Sequence, residues 1–304
     1  MRREERTARD AREIEDLSAG GFEVDGFLAQ GGSARLYRGR GPEGPVALKL
    51  LPTKVPESRL EIVRRIAAIG HPALVRILGV GSQASGSWMA MELLEGPSLE
   101  EILAGGPLPL DRALGLAGRI AKGLGALHRA GFVHRDLKPS NVIVLPDDRL
   151  KIVDFGLALP VGTPPAEAGF EGSWGYAAPE QLMGRAADPR SDVYALGVVL
   201  YRMLLGRLPY GDAPVAAALG HLHDRPPPPR AVDPSIPAEV EALVLRALAK
   251  DPRDRFASME AFAAEIEACK GAGRAAARTP PRRGWISALG VLAALALVAT
   301  QILC

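Results

Sequence analysis

The chain has 304 residues, 47% of them hydrophobic, so it can bury a sizeable core in one large or two modest domains. Its 37 lysines and arginines nearly balance 35 aspartates and glutamates, and this net charge of +2 gives no general attraction to nucleic acid. The two cysteines, Cys269 and Cys304, cannot frame a disulfide scaffold. We therefore expect neither a disordered nor a disulfide-stapled protein, and no nucleic-acid partner. Residues 1–21 form a charged tail without the apolar run of a secretory signal.

Short β-like runs separated by glycine turns fill residues 22–95, and one helical stretch, residues 57–69, interrupts them. From Ser98 onward helical periodicity dominates. Asp111 is the expected N-cap of a helix that ends at residue 131. Further helices are predicted at residues 191–205, 238–249 and 258–268. The pattern predicts an α+β chain with a β-rich lobe (22–95) and a helical lobe (96–268).

The C-terminal residues differ in character from the rest. Residues 269–284 read as a basic, Gly/Ala/Pro-rich linker. Residues 285–304 carry no charge and span about 30 Å as a helix, the thickness of a bilayer's hydrocarbon core. We expect a transmembrane helix at 285–303 in contact with membrane lipid, with the preceding part of the chain held in the cytoplasm by the basic linker. A buried terminal helix is the alternative, but the segment lacks a polar stripe.

The most informative stretch is HRDLKPSN, residues 134–141, followed thirteen residues later by Asp154, Phe155 and Gly156. Transfer of a phosphoryl group needs Mg²⁺, cations that offset charge and a carboxylate that orients the attacking hydroxyl. The motif offers these residue types. It resembles the signature of the protein kinase family, and the bacterial, eukaryotic-like (Hanks-type) serine/threonine kinases are most similar. The resemblance covers about residues 22–268 and implies a bilobal kinase fold, ATP as cofactor and protein substrates.

The resemblance assigns roles to single residues. Asp136 would accept the proton of the substrate hydroxyl and Lys138 would steady the γ-phosphate. Asn141 and Asp154 would hold Mg²⁺, with Mn²⁺ as an alternative. Lys49 would grip the α- and β-phosphates. Its expected partner is Glu61, which stands ten residues before His71 where the family usually has nine, with Glu57 as the alternative.

The same resemblance implies an adenine site between the lobes. The backbone of Glu92 and Leu94, next to Met91, would meet the adenine edge. Four apolar side chains would sandwich the adenine ring: Leu28, Leu36, Ala47 and Ile143. In the loop that would cover the phosphates, Gly31 is the central glycine and is retained. Ala29 and Ala34 replace the first and third glycines, and because alanine disfavours positive φ we expect weaker ATP binding or slower turnover.

Residues 172–180 resemble the segment that binds a protein substrate. Ser173 replaces the usual threonine, and its hydroxyl is expected to bridge Asp136 and Lys138. Two structural pairings are also implied: Glu180 with Arg255, and Asp192 with the backbone of the catalytic loop. Neither pairing would touch substrate.

The sequence also predicts a regulatory phosphate site and leaves two alternative functions open. Arg135 beside Asp136 implies control by a phosphate on the loop, and Thr163 is the expected autophosphorylation site, reached through self-association. A pseudokinase that binds without catalysis and a small-molecule kinase are the alternatives. A metal site at His221 and His223 is set aside, because residues two apart on a helix point to different faces.

Overall fold

A computed structural model describes residues 21–31, 34–83, 86–164, 170, 172–186 and 188–278. The predicted membrane segment and most of the charged tail lie outside these residues. No helix within them is long and apolar enough to cross a bilayer.

The N-terminal lobe is a five-stranded antiparallel sheet in the order β1-β2-β3-β5-β4. Alternation along β3 buries Val46, Leu48 and Leu50 on one face, so Ala47 and Lys49 lie on the other. On this second face, the Nζ of Lys49 lies 2.7 Å from Asp154 of the other lobe. The strands are β1 (Glu23–Gly31), β2 (Ala34–Gly41), β3 (Gly44–Leu51), β4 (Ile77–Gln83) and β5 (Gly86–Glu92).

One helix, α1 (Glu57–Ala67), packs on this lobe and ends two residues before the predicted boundary. Leu60, Val63 and Ile66 form its buried face. The segment after it is fixed to the second lobe, since the amide of Val75 donates to Ile152 at 3.0 Å and that of Ile152 donates to Ala73 at 2.7 Å. The two lobes are therefore joined by backbone hydrogen bonds behind the site.

The second lobe is helical, as predicted, and its helix Pro189–Leu205, buried along most of its length, carries Tyr194 and Tyr201 in the main core. Asp188 caps this helix at its N-terminus and Gly206 ends it in a left-handed conformation with φ of 69°. The helices are α2 (Leu99–Leu103), α3 (Leu110–Arg129), α4 (Pro179–Leu182), α5 (Pro189–Leu205), α6 (Pro214–His223), α7 (Pro229–Val232), α8 (Ala238–Ala247) and α9 (Met259–Arg278).

Two further predicted boundaries differ clearly from the structure. Pro109, not Asp111, is the N-cap of α3, and Asp111 lies in the first turn, where its carboxylate interacts favourably with the helix dipole. Helix α9 runs ten residues past the predicted end at residue 268, into the segment expected to be a linker. Four alanines, two arginines and a lysine in residues 269–278 favour a helix and offset the two glycines.

Two short two-stranded sheets place the functional loops between the lobes. The strands β6 (Phe132–Val133) and β9 (Leu159–Pro160) pair with each other, as do β7 (Val142–Val144) and β8 (Leu150–Ile152). Residues 134–141 connect β6 to β7, and Asp154 follows β8. Both predicted motifs therefore emerge from the same end of these sheets.

Candidate active site

The backbone of the loop of residues 134–141 is held by hydrogen bonds to one buried carboxylate, that of Asp192. Asp192 on α5 accepts hydrogen bonds from the amides of His134 at 2.8 Å and Arg135 at 2.9 Å, and from His128 Nε2 at 2.7 Å. Burial alone would raise the pKa of Asp192, but the bonds with His128 and the His134 amide hold it below its usual value. These bonds also maintain Arg135 at a φ of 69°. The predicted anchoring role of Asp192 is confirmed.

The two carboxylate oxygens of Asp136 have different surroundings. Oδ2 lies 2.9 Å from Lys138 Nζ and 3.3 Å from Asn141 Nδ2. Oδ1 is buried and has no hydrogen-bond partner within the part of the chain that the structure describes. A buried acceptor without a partner is costly unless a ligand supplies the missing donor. Asp136 therefore has one oxygen that fixes its orientation and one that is free to accept a proton.

Lys138 joins this loop to the segment of residues 172–180. Its Nζ donates to Ser173 Oγ at 2.7 Å while it pairs with Asp136. The prediction that Ser173 reaches both residues is only half right, because the hydroxyl meets Lys138 and contacts Asp136 through it. Gly172 lies at a φ of 142°, and a Cβ there would lie 2.9 Å from Phe170 Cζ and 3.7 Å from Asp136 Oδ1. The segment of residues 172–180 is thus packed against the carboxylate of Asp136.

Asp154 faces the loop from the other side. The amide of Val153 donates to the Asn141 carbonyl at 2.9 Å, which brings Asn141 and Asp154 together. Phe155 is buried against the His134 ring, with centroids 5.4 Å apart, and this packing directs Asp154 outward at a φ of 66°. Asp154 Oδ1 lies 2.7 Å from Lys49 Nζ. Burial raises the pKa of Asp154, but the Lys49 ammonium outweighs it and keeps the carboxyl ionised.

The donor set suits a magnesium ion bound together with phosphate. Asn141 uses its Nδ2 on Asp136, 2.9 Å from the carbonyl, so its Oδ1 remains for a cation. Asp154 adds one carboxylate. Within the described residues there is no cluster of three or more His, Cys, Asp or Glu side chains that would form a complete protein cage. Mg²⁺ typically binds one or two protein oxygens and takes its other ligands from phosphates and water, so the residues fit.

The predicted pairing of Lys49 with Glu61 is wrong in this structure. Glu61 lies on the outer face of α1, where it accepts a hydrogen bond from Arg64 at 3.3 Å. Glu57, the alternative, bonds with the same arginine. Ile62, which occupies the position nine residues before His71, packs against the main core instead. Packing of apolar residues sets the rotation of the helix, and it turns both glutamates toward solvent.

The predicted adenine-site residues lie around the joint between the lobes. Ala47, Met91 and the partly buried Leu36 belong to the main core beneath the sheet, and Ile143 lies on β7. Leu28 on β1 is 44% exposed. Gly31 and Ala34 pair at the end of the β1–β2 hairpin that adjoins the connecting residues 32–33, which lie outside the described part. Contacts of these residues with adenine stay a prediction.

The Glu92 side chain has structural partners. It accepts from the Arg76 amide at 2.7 Å and pairs with Lys151 at 2.6 Å. The amide of Glu92 is also in use, since it donates to the Arg76 carbonyl at 2.9 Å, whereas the amide of Leu94 has no partner among the described residues. Contact of this backbone with adenine stays a prediction.

Two further polar clusters fix the segment of residues 172–180. The predicted pair of Glu180 and Arg255 is confirmed as a buried two-bond contact of 2.7 and 2.9 Å. Sequence reasoning missed a second cluster, in which Arg202 on α5 donates to both oxygens of Glu100 and to the Tyr176 hydroxyl. Burial raises the pKa of Tyr176 to about 12. Arg202 and Glu100 lie 102 positions apart, and no local sequence pattern indicates that they pair.

His221 also has a structural environment. Its Nδ1 lies 2.8 Å from the Tyr194 hydroxyl, and the residue is buried between α5 and α6. Burial lowers the pKa of His221 to about 4, so the ring is neutral near pH 7. Thr163 is held by bonds from its hydroxyl and amide to the Pro160 carbonyl, and its modification stays a prediction.

A β-rich lobe, a helical lobe and a cluster of Lys49, Asp136, Asn141 and Asp154 between them are the architecture of a protein kinase domain. Residues 22–265 match the family model described as the protein kinase domain, and the chain belongs to this family.

The similar proteins are bacterial serine/threonine-protein kinases, which places the chain in the eukaryotic-like, Hanks-type branch. The chain is 36% identical to PknL of Mycobacterium tuberculosis, over 81% of this chain and 64% of that protein. It is 36% identical to a probable serine/threonine-protein kinase of Streptomyces coelicolor, over 82% of this chain and 40% of that protein. A probable serine/threonine-protein kinase of Clostridium perfringens is 33% identical, over 82% and 38%. The chain therefore spans between about two fifths and two thirds of these relatives.

Proposed function

We propose that this protein is an ATP-dependent serine/threonine protein kinase. The observation that carries the proposal is the free, buried Oδ1 of Asp136, held beside Lys138 and opposite Asp154. An acceptor for the substrate proton and cations for the phosphates are thereby placed around one gap between the lobes.

The residues divide the reaction among them. Asp136 orients the substrate hydroxyl and accepts its proton as the oxygen attacks the γ-phosphorus. The new O–P bond forms as the bond from the γ-phosphorus to the bridging oxygen breaks, and ADP leaves with the electron pair. Lys138 offsets charge on the transferred group from its place between Asp136 and Ser173.

The metal would be held by Asn141 and Asp154. Mg²⁺, or Mn²⁺ in its place, would neutralise charge on the phosphate oxygens when bound with ATP. Lys49 would meet the non-transferred phosphates from the sheet.

A protein substrate is supported by the segment of residues 172–180. It is pinned to the catalytic loop by Ser173 and to the helical lobe by Tyr176 and Glu180. The names of the relatives, all serine/threonine-protein kinases, support hydroxyl acceptors on proteins.

We also propose that residues 285–303 anchor the kinase to the cell membrane, with the kinase domain in the cytoplasm. The support is the uncharged twenty-residue sequence and the basic residues before it. Self-association would allow autophosphorylation on Thr163, and Arg135 is the arginine of the motif that would pair with the added phosphate.

The test is transfer of labelled γ-phosphate from Mg²⁺-ATP to a generic basic protein and to the chain itself, followed by phosphoamino-acid analysis. We expect label on serine or threonine, lost in Lys49→Ala and kept in Lys122→Ala, which removes an exposed lysine from α3. ATP binding without transfer would instead identify a pseudokinase. Transfer only to a small molecule such as an aminoglycoside would identify a small-molecule kinase.

A further inference from the structure

The carboxylate of Glu100 is paired with an arginine that is more deeply placed. Arg202 Nη1 lies 2.7 Å from Glu100 Oε2, and Arg202 Nη2 lies 2.6 Å from Glu100 Oε1. Two parallel bonds of this kind are the strongest contact between a guanidinium and a carboxylate. The Glu100 side chain is 44% exposed and that of Arg202 is 18% exposed. Glu100 thus reaches the surface of the protein, and Arg202 cancels its charge from beneath.

Both members of this pair lie on helices that are fixed at the relevant end. Ser98 is the N-cap of α2, and the Glu101 carboxylate accepts bonds of 2.7 Å from the amide and the hydroxyl of Ser98. Glu101 is thereby occupied, and Glu100 is the acidic residue of α2 that remains for Arg202. Arg202 lies in the last turn of α5, where its carbonyl accepts from the Gly206 amide at 2.8 Å. The pair therefore joins two well-anchored helices.

The same arginine contacts the segment of residues 172–180. Arg202 Nη1 also donates to the Tyr176 hydroxyl. The amide of Tyr176 donates to the Ser173 carbonyl at 3.0 Å, and the Ser173 hydroxyl bonds to Lys138 beside the catalytic carboxylate. The pair of Glu100 and Arg202 therefore borders the surface on which the proposed function places the protein substrate.

The charges at this border are unequal in sign. Burial raises the pKa of Tyr176 to about 12; Arg202 counteracts the rise, whereas Glu100 and Asp212 add to it. Asp212 is exposed. Two carboxylates and one guanidinium thus act on the same hydroxyl, and Arg202 is the group that keeps the negative charge of this border low. Without it, lysine or arginine side chains of a substrate would be attracted here.

We propose that Arg202 and Glu100 are specificity-determining residues, which together make this border of the site indifferent to the charge of the protein substrate. Discrimination between substrates is a difference of affinities, and a cancelled carboxylate contributes little to such a difference. The substrate class is then serine or threonine segments with no required basic residue next to the acceptor. This inference rests on the proposed function and assigns its substrate preference.

The test measures binding of three fluorescent peptides to the full chain in Mg²⁺ and a non-hydrolysable ATP analogue. The peptides carry one serine flanked by arginine, glutamine or glutamate. The wild type should bind all three within about threefold. Arg202→Met uncovers Glu100, so the basic peptide should gain about fivefold over the neutral one. Glu100→Gln leaves the charge of Arg202 uncancelled, so the acidic peptide should gain about fivefold instead.

The opposite directions of these two shifts separate specificity from a merely structural role. Arg112→Met is the matched control, since it removes the arginine of another half-exposed pair, 3.0 Å from Asp148, and should leave the three affinities in their wild-type ratio. Arg202→Gln carries the same expectation as the methionine variant if the latter does not fold.

Equal weakening of all three peptides in both variants would overturn the proposal, because the pair would then only hold the segment in place. A wild type that prefers the basic peptide by about tenfold or more would overturn it as well. A wild type that binds none of the peptides would defeat both proposals. Because the readout is binding, a chain that shows the two shifts but transfers no phosphate would defeat the proposed function and leave this result intact.

Discussion

The two halves of the active site are built in different ways. In the lower half, residues 134–141 are fixed by hydrogen bonds from their own backbone to Asp192, and the short spacing to Asp154 is closed by another backbone bond. In the upper half, the distance between Lys49 on the sheet and the glutamates of α1 depends on the rotation of α1 about its axis, which its buried apolar residues set. Backbone bonds make motif spacing a reliable guide to geometry, whereas packing can override it.

The largest expected effect tests the lower half. Asp192→Ala would leave two buried amides and His128 without their acceptor, and we expect a loss of about 3–5 kcal/mol in the free energy of unfolding. Urea denaturation measures it. Asp188→Ala on the same helix removes only an N-cap and should cost about 1 kcal/mol. Equal losses in the two variants would contradict the special role of Asp192.

The next prediction concerns His221, which supports the lower half from α6. Its pKa is about 4 in the folded protein and 6.5 ordinarily, so between these values the unfolded chain binds a proton that the folded chain does not. Stability should therefore be complete above pH 6.5 and fall as the pH drops toward 4, by about 3 kcal/mol. His221→Gln should flatten this slope. The exposed control His223→Gln should retain it, and a wild-type slope in His221→Gln would refute the assignment.

A smaller effect is expected at Gly172. Alanine there would have to adopt a φ of 142° with its Cβ 2.9 Å from Phe170 Cζ. We expect phosphoryl transfer to fall about 10- to 100-fold, which corresponds to roughly 1–3 kcal/mol, with ATP affinity unchanged. Gly162→Ala, also at positive φ but in open space, controls for backbone strain. A loss of ATP affinity at Gly172 would show that the segment does not act on the substrate side.

The smallest effect belongs to the upper half. Ala29→Gly with Ala34→Gly restores the glycines of the family pattern and the backbone freedom that they bring. We expect a gain of a few-fold in ATP affinity or turnover, about 1 kcal/mol or less. Steady-state kinetics at varied ATP would detect it. A lower affinity would mean that the alanines are adapted to this hairpin.

Much of the fold and of the lower site was predictable from sequence. Alternation along β3 and the periodicity of α5 depend on local spacing, and so do the positions of Asp136, Asn141 and Asp154. The pair of Glu180 and Arg255 was predictable from the family resemblance and is confirmed.

Other features were not predictable, for physical reasons. The rotation of α1 follows from the burial of Val63 and Ile66 against distant residues, which a count of positions before His71 does not contain. The cluster of Arg202, Glu100 and Tyr176 joins three separate elements. Pairings of this kind are set by tertiary structure, and a single sequence leaves them open.

The most direct test of the account is phosphoryl transfer by the full chain carrying Asp136→Asn, measured beside its ATP affinity. The substitution keeps the size of the side chain and removes the free proton acceptor. The account predicts ATP affinity close to that of the wild type and transfer slowed by about 10²- to 10⁴-fold. Transfer at the wild-type rate would contradict it, because the oxygen left free in the lower half of the site would then have no part in the reaction.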